Sequence, residues 1–137
     1  MRNSVSGINC TLFGGTSQLG MTIGATLSLM GSTMIYPYRN AGSIWEFKFK
    51  EVKPTADLGY KAYVNLKDFT NMNELRHVIR DQNVVVSTIG SRVHYNKESD
   101  YEDANIRIPM AIAKAAKENP NVKRFIHLSA AGADPNS

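Results

Sequence analysis

Residues 8–20, with the sequence INCTLFGGTSQLG, decide the fold of this chain. The apolar run from Ile8 to Phe13 predicts a strand that ends in a glycine-rich turn, Gly14 to Thr16. A helix should follow this turn and end at Gly31, because glycine is the residue that most readily caps a helix C-terminus. The apolar residues that repeat at helical spacing in this segment are Leu19, Ile23, Leu27 and Met30.

A second strand completes a βαβ unit. Thr33 to Tyr36 is rich in strand formers, and we expect Pro37 to stop the strand because proline cannot donate to a sheet. Strand, glycine turn, helix and strand within about thirty residues form the layout of a βαβ unit. Its crossover should be right-handed, which makes the two strands parallel.

The rest of the chain continues the alternation of strands and helices, which predicts an α/β fold. We expect a Rossmann-type, doubly wound parallel sheet of about five strands, forming one domain over residues 1–137 with no second domain. The expected elements are a strand at Tyr60–Leu66, a helix from Thr70 or Asn71 to Arg80, a buried strand at Asn83–Ile89, a helix from the capping box Ser99–Glu102 to about Glu118 with a kink at Pro109, and a strand at Phe125–Leu128.

Composition excludes several classes of protein. The 137 residues are 42% hydrophobic, enough for a buried core, yet no apolar run approaches the ~18 residues of a membrane span. A single cysteine and three scattered histidines give no metal-ligand spacing. The net charge of +4 is not a nucleic-acid signature. Phenylalanine and lysine alternate from Phe47 to Lys50, with Trp45 nearby. This segment indicates a protein interface or an edge strand better than a surface on which single-stranded nucleic acid stacks.

The glycine turn has the chemistry of a phosphate site. A helix N-terminus presents unpaired N–H groups and a partial positive charge, and phosphate can approach it only where the turn residues are small. In the fingerprint of extended short-chain dehydrogenases the glycines fall at the positions of Gly14, Ser17 and Gly20, so serine replaces the middle glycine here. Gly20 and Gly24 should also let the helix lie close on the sheet. The turn therefore predicts dinucleotide binding, the alternative being a turn with no ligand.

The end of the second strand favours NADP(H) over NAD(H). NAD sites usually place Asp or Glu there for the ribose hydroxyls, whereas residues 36–40 contain no acid. Arg39 can instead pair with a 2′-phosphate through its planar donor groups, the alternative being a solvated surface arginine. Ligands bind beyond the carboxyl ends of parallel strands, which places Asn65 and Leu66 beside an adenine and Ile89 and Gly90 beside the adjoining ribose and diphosphate. For Leu66 and Ile89 the alternative is plain core packing.

No catalytic pair is expected in these residues. A short-chain reductase needs a tyrosine followed four residues later by lysine on a helix, and only Tyr63 and Lys67 have this spacing. They fall on a strand and its end, where four residues span ~13 Å, too far for the ammonium group to act on the phenol. Ser129 has no tyrosine partner here, and Cys10 is expected in the core.

The sequence also resembles one family along nearly its whole length, the alpha-subcomplex subunit nine family of mitochondrial complex I, whose members are atypical extended short-chain dehydrogenases. The stretches that carry the resemblance are SVSGI at residues 4–8, FGGTSQLG at 13–20, IYPYR at 35–39, DLG at 57–59, NVV at 83–85, IG at 89–90, YED at 101–103, IP at 108–109 and FIHLS at 125–129.

The resemblance implies a non-catalytic accessory subunit, matrix-facing on the mitochondrial inner membrane, that holds NADPH as a structural cofactor. It implies a phosphate loop of Gly14, Thr16, Ser17, Gln18 and Leu19, with Arg39 on the 2′-phosphate; Ser17 and Asn65 depart from the family pattern. It further implies other complex I subunits as partners, since a sheet of five strands leaves an open edge. A separate chain carrying the missing C-terminal half, or neighbouring subunits, would cover this edge, the alternative being that the sequence is a fragment. Two alternatives remain, a reductase active only with that half and a scaffold whose nucleotide site has decayed.

Overall fold

The computed structural model describes residues 6–15, 18–38, 61–89 and 106–128 of the chain. Among the features expected from the sequence, those outside these ranges include the aromatic and basic segment around Trp45, the capping box at Ser99–Glu102, and Ser129.

Five parallel strands form one sheet in the order β3-β2-β1-β4-β5, with β1 in the middle. The expected doubly wound parallel sheet is therefore confirmed, since the chain winds outward from β1 in both directions. The strands are β1 (Asn9–Phe13), β2 (Thr33–Tyr38), β3 (Lys61–Asn65), β4 (Val84–Ser87) and β5 (Arg124–His127).

Helices cover both faces of this sheet. The described residues form α1 (Gln18–Leu29), α2 (Met72–Ile79) and α3 (Ile108–Glu118). Neighbouring residues of β4 show the division, because Val85 packs into the cluster formed with α2 and α3, whereas Val86 packs into the cluster that includes residues of α1. A strand buried on both faces explains the continuous β-branched run in the sequence.

Small residues of α1 face the sheet, as expected for Gly20 and Gly24, and two members of the expected apolar stripe, Ile23 and Leu27, pack partly against the core beside them. Gly20, Gly24 and Ser28 are buried, whereas Leu19 and Met30 are about half exposed. Residues spaced by four lie on one side of a helix, so the small side chains allow α1 to approach the strands closely. The sequence therefore predicted the helix and part of its buried face, and the members of the stripe that depart from the prediction are Leu19 and Met30.

Pro37 lies inside β2, so the prediction that it ends the strand was wrong. Pairing of β2 with β1 extends only as far as Ile35, and beyond it β2 pairs with β3 up to Tyr38. Proline is tolerated where a strand no longer needs an N–H bond to one of its neighbours. β2 therefore ends two residues later than expected, at Tyr38.

Pro109 lies in the first turn of α3, because the α-helix begins at Ile108. Directly before α3, residues 106 and 107 form a π-helical turn, and the earlier part of the expected helix lies outside the described residues. The start of α2 agrees with the sequence, since the side chain of Asn71 accepts hydrogen bonds from the N–H groups of Asn73 and Glu74.

Candidate functional site

The carboxyl ends of the five parallel strands lie level with one another and form one edge of the sheet, the carboxyl edge. Three hydrogen bonds hold neighbouring strand ends together: Thr88 N–H donates to Phe13 C=O at 3.0 Å, Leu66 N–H to Tyr38 C=O at 2.8 Å, and Leu128 N–H to Ser87 C=O at 3.0 Å. Residues that follow different strands therefore lie side by side along the carboxyl edge, which is where ligands bind in open α/β sheets.

Gly14, the first residue after β1, requires glycine for two reasons. Its φ of +85° lies in the left-handed region, which side chains rarely adopt. A Cβ at this position would also collide with Thr88 Oγ1 and lie 3.3 Å from the backbone nitrogen of Ile89. The structure therefore brings together two residues, Gly14 and Ile89, that the sequence assigned separately to one site.

The Thr88 hydroxyl holds the turn in place from the β4 side, and sequence reasoning missed it. Its Oγ1 lies 3.2 Å from the carbonyl oxygen of Phe13 and 3.1 Å from that of Gly14, and it donates to this carbonyl pair. The signal available in the sequence was its position immediately before Ile89 and Gly90, because residues that follow a parallel strand lie at the carboxyl edge.

The beginning of α1 lies close against the glycine turn. A Cβ at Gly20 would collide with the carbonyl oxygen of Gly14, so the helix can lie against the turn only with glycine at position 20. The first turn of α1 carries no acidic side chain that would neutralise the positive end of the helix dipole. These features fit a bound diphosphate.

The ring of Tyr36 supports the turn from the β2 side. A Cβ at Gly15 would lie 2.8 Å from Tyr36 Cδ1, so the turn rests directly on this ring. Tyr36 in turn stacks on Tyr63 of β3, with ring centroids 5.2 Å apart and planes at 19°. This places Tyr63 among core aromatics, whereas Lys67 is exposed beyond the strand, in accord with the rejection of these two residues as a catalytic pair.

The other residues assigned to the site from the sequence have different positions. Asn65 is exposed at the end of β3, and Leu19 is exposed in the first turn of α1. Leu66 is only 4% exposed and packs in the core, as its alternative role foresaw, and Ile89 packs partly against the same core. Thr16, Ser17, Arg39, Gly90 and the side chain of Gln18 lie outside the described residues.

Cys10 is buried in the middle of β1, as expected. Burial raises the pKa of its thiol to about 12, because the thiolate would lose its hydration. A thiol of this kind is inert, and it belongs to the core below the site. Within the described ranges no helix is long and apolar enough to cross a membrane, and no group of three His, Cys, Asp or Glu residues is arranged to hold a metal ion.

Short-chain dehydrogenases are among the solved structures that share this fold. A short-chain dehydrogenase/reductase from Serratia marcescens matches 96% of this chain and 59% of its own at a TM-score of 0.72 and 16% identity. A uronate dehydrogenase from Agrobacterium tumefaciens, in a structure complexed with NAD, matches 90% of this chain and 41% of its own at a TM-score of 0.64 and 16% identity. Likeness at this level of identity concerns the fold.

Sequence comparison is more specific, although no family model matches the chain. The 40 kDa subunit of the mitochondrial NADH-ubiquinone oxidoreductase from Neurospora crassa is 35% identical over 136 residues, 99% of this chain. Subunit 9 of the NADH dehydrogenase [ubiquinone] 1 alpha subcomplex is 37% identical in Mus musculus over 93% of the chain and 34% identical in Arabidopsis thaliana over 99%.

The chain spans about a third of the length of these curated relatives, with 34%, 32% and 32% of their respective sequences matched. The alignments nevertheless cover 93 to 99% of the chain itself. The resemblance inferred from the sequence is thereby confirmed, and the chain is a homologue of one part of the alpha subcomplex subunit 9, or 40 kDa subunit, of mitochondrial NADH-ubiquinone oxidoreductase.

Proposed function

We propose that this chain is the nucleotide-binding part of an accessory, non-catalytic subunit of mitochondrial complex I, and that it holds NADPH as a structural cofactor. The observation that supports the proposal most is the glycine turn: a Cβ at Gly20, in the first turn of α1, would collide with the carbonyl oxygen of Gly14, and this first turn carries no acidic side chain. The names of the relatives, all mitochondrial subunits of this oxidoreductase, support the assignment to the complex.

The proposed site runs along the carboxyl edge. Backbone N–H groups at the start of α1 would hold the diphosphate, and Arg39, which follows β2 in the sequence, would pair with the 2′-phosphate. Asn65 would border the adenine. The complete proposed set is Gly14, Thr16, Ser17, Gln18, Leu19, Arg39, Asn65, Leu66, Ile89 and Gly90. The bound nucleotide would supply no hydride transfer here, and would instead tie the ends of neighbouring strands together.

The exposed strand β5 supports a second part of the proposal, that other complex I subunits cover this side of the molecule. Phe125 and Ile126 are 37% and 44% exposed, and their partners in β4 belong to opposite faces of the sheet. Apolar side chains left open on both faces of an edge strand indicate a partner surface. A chain carrying the remaining part of the subunit is the partner we propose, with the assembly peripheral to the inner membrane on its matrix side.

The test is nucleotide analysis of the native assembly. The complex is purified with the protein in place and denatured, and the released nucleotides are separated and quantified. We expect about one NADPH per copy, with no oxidation of it by carbonyl substrates added before denaturation. No nucleotide at all would favour a scaffold, and turnover would favour a reductase.

Replacement of Arg39 tests the choice of cofactor. Arg39→Glu should abolish NADPH retention, because a carboxylate would repel the 2′-phosphate. Arg80→Glu is the matched control: it makes the same change of charge at an exposed arginine just beyond α2, at the opposite edge of the sheet. Equal retention in both variants would remove Arg39 from the site.

A further inference from the structure

The side chain of Tyr36 connects β2 to both the glycine turn and α1. It is 1% exposed, and it is the neighbour that a Cβ at either of two glycines would meet. At Gly15 that Cβ would lie 2.8 Å from Tyr36 Cδ1, and at Gly24 it would lie 2.6 Å from the phenol oxygen. The ring therefore fills the space between the strand, the turn and the second turn of the helix.

Tyr63 supports the other side of the Tyr36 ring. The two residues are register partners in β2 and β3, and their rings stack with centroids 5.2 Å apart. A ring held between a backbone turn and a second ring has no free space into which it can move. The distance from the glycine turn to β2 is thus set by stiff aromatic side chains and not by flexible aliphatic ones.

This distance separates the two points at which the proposed cofactor would be held. The diphosphate would lie at the glycine turn, and the 2′-phosphate would lie beyond the end of β2 at Tyr38. A ligand held at two points binds tightly only when their spacing matches its own, and a displacement of about 1 Å can cost up to about a hundredfold.

We infer that Tyr36 is a positioning residue that sets the spacing between the diphosphate and 2′-phosphate subsites, an inference that rests on the proposed function. It touches neither phosphate itself. Its effect should therefore appear with a ligand that occupies both subsites and should be absent with ligands that occupy one.

The test compares Tyr36→Val and Tyr36→Phe in the full chain, titrated with three ligands. NADPH occupies both subsites, adenosine 2′-monophosphate only the one at β2, and inorganic pyrophosphate only the one at the turn. In Tyr36→Val we expect the NADPH dissociation constant to rise about tenfold or more, and those of the two small ligands to change by less than about twofold. Tyr36→Phe keeps the ring and should bind NADPH as the unmodified protein does.

Two results would overturn the inference alone: unchanged NADPH affinity in Tyr36→Val, or the same loss for all three ligands, which is the signature of a purely structural defect. If the unmodified protein binds none of the three ligands, the proposed function fails as well. Should Tyr36→Val not fold, Tyr63→Val removes only the supporting ring, and it should weaken NADPH selectively in the same way.

Discussion

Gly14 and Gly7 have nearly the same backbone conformation in different surroundings. Their φ angles are +85° and +79°, but a Cβ at Gly7 would meet nothing within 4 Å, whereas one at Gly14 would collide with Thr88 Oγ1. Gly7→Ala should lower the free energy of unfolding by about 1 kcal/mol, the cost of the left-handed conformation. Gly14→Ala should lower it by about 3 kcal/mol, because the collision adds to that cost. Urea unfolding of the two variants measures the difference, and equal losses would contradict the turn geometry.

The buried thiol of Cys10 should make the free energy of unfolding depend on pH at alkaline pH. Its thiol has a pKa of about 12 in the folded protein and 9.0 as the ordinary value, so the folded state keeps the proton more tightly. This contribution to stability is fully present below pH 9 and is lost as the pH rises from 9 toward 12. Denaturant midpoints measured across this range should fall less steeply in Cys10→Ala than in the unmodified protein. Identical slopes would show that the thiol is not buried as described.

At the scale of elements, the contact of α1 with β2 depends on the absence of a side chain at Gly24. Gly24→Ala should lower the free energy of unfolding by about 2 kcal/mol, because a Cβ 2.6 Å from the Tyr36 phenol oxygen forces the helix outward. Adding Tyr36→Phe removes that oxygen and leaves ring carbons at 3.0 and 3.2 Å, so part of the loss should be recovered.

Gly15→Ala is the matched control for this double-mutant cycle. Its Cβ would meet Cδ1 of the same ring, an atom that Tyr36→Phe retains, so no recovery is expected. Thermal unfolding of the two glycine variants, of Tyr36→Phe and of the two double variants provides the comparison. Equal recovery at both glycines, or none at either, would contradict the position of the ring.

Features of a helix or strand that depend on its own segment could be predicted from the sequence. The N-cap of α2 was predictable because Asn71 acts within its own segment, and the buried strand β4 was predictable because both of its faces are apolar. The glycine spacing predicted that Gly20 and Gly24 of α1 lie close on the sheet, but nothing in the sequence marked Ser28, a polar residue that is buried on the same face. The roles of Thr88 and Tyr36 depend on contacts between distant segments, which no local pattern contains.

At the scale of the whole molecule, β5 should be the strand that joins the protein to its assembly. Ile126→Asp should prevent incorporation into complex I, because it places a charge on an apolar surface that the partner would bury. Leu29→Asp is the control, at an aliphatic residue that is somewhat more exposed than Ile126 and lies at the end of α1, far along the chain from β5. Native gels of mitochondria that carry each variant measure incorporation, and an Ile126→Asp chain that assembles normally would contradict the proposed interface.

The topology of the whole sheet follows from the first βαβ unit together with the alternation that continues it, which is why the sequence sufficed for the fold. The site was predictable in part, because strand order brings Gly14, Asn65 and Ile89 to one edge whatever the side-chain details. The sequence did not identify Thr88 and Tyr36 as the residues that hold the turn, because their contacts depend on how closely the turn, α1 and the neighbouring strands approach one another.

A density map of the native complex would show directly whether a dinucleotide diphosphate lies against the first turn of α1. The map should show NADPH along the carboxyl edge, with its diphosphate beside Gly14 and its 2′-phosphate beyond Tyr38. An edge filled by protein side chains, with no nucleotide density beside Gly14, would contradict the account.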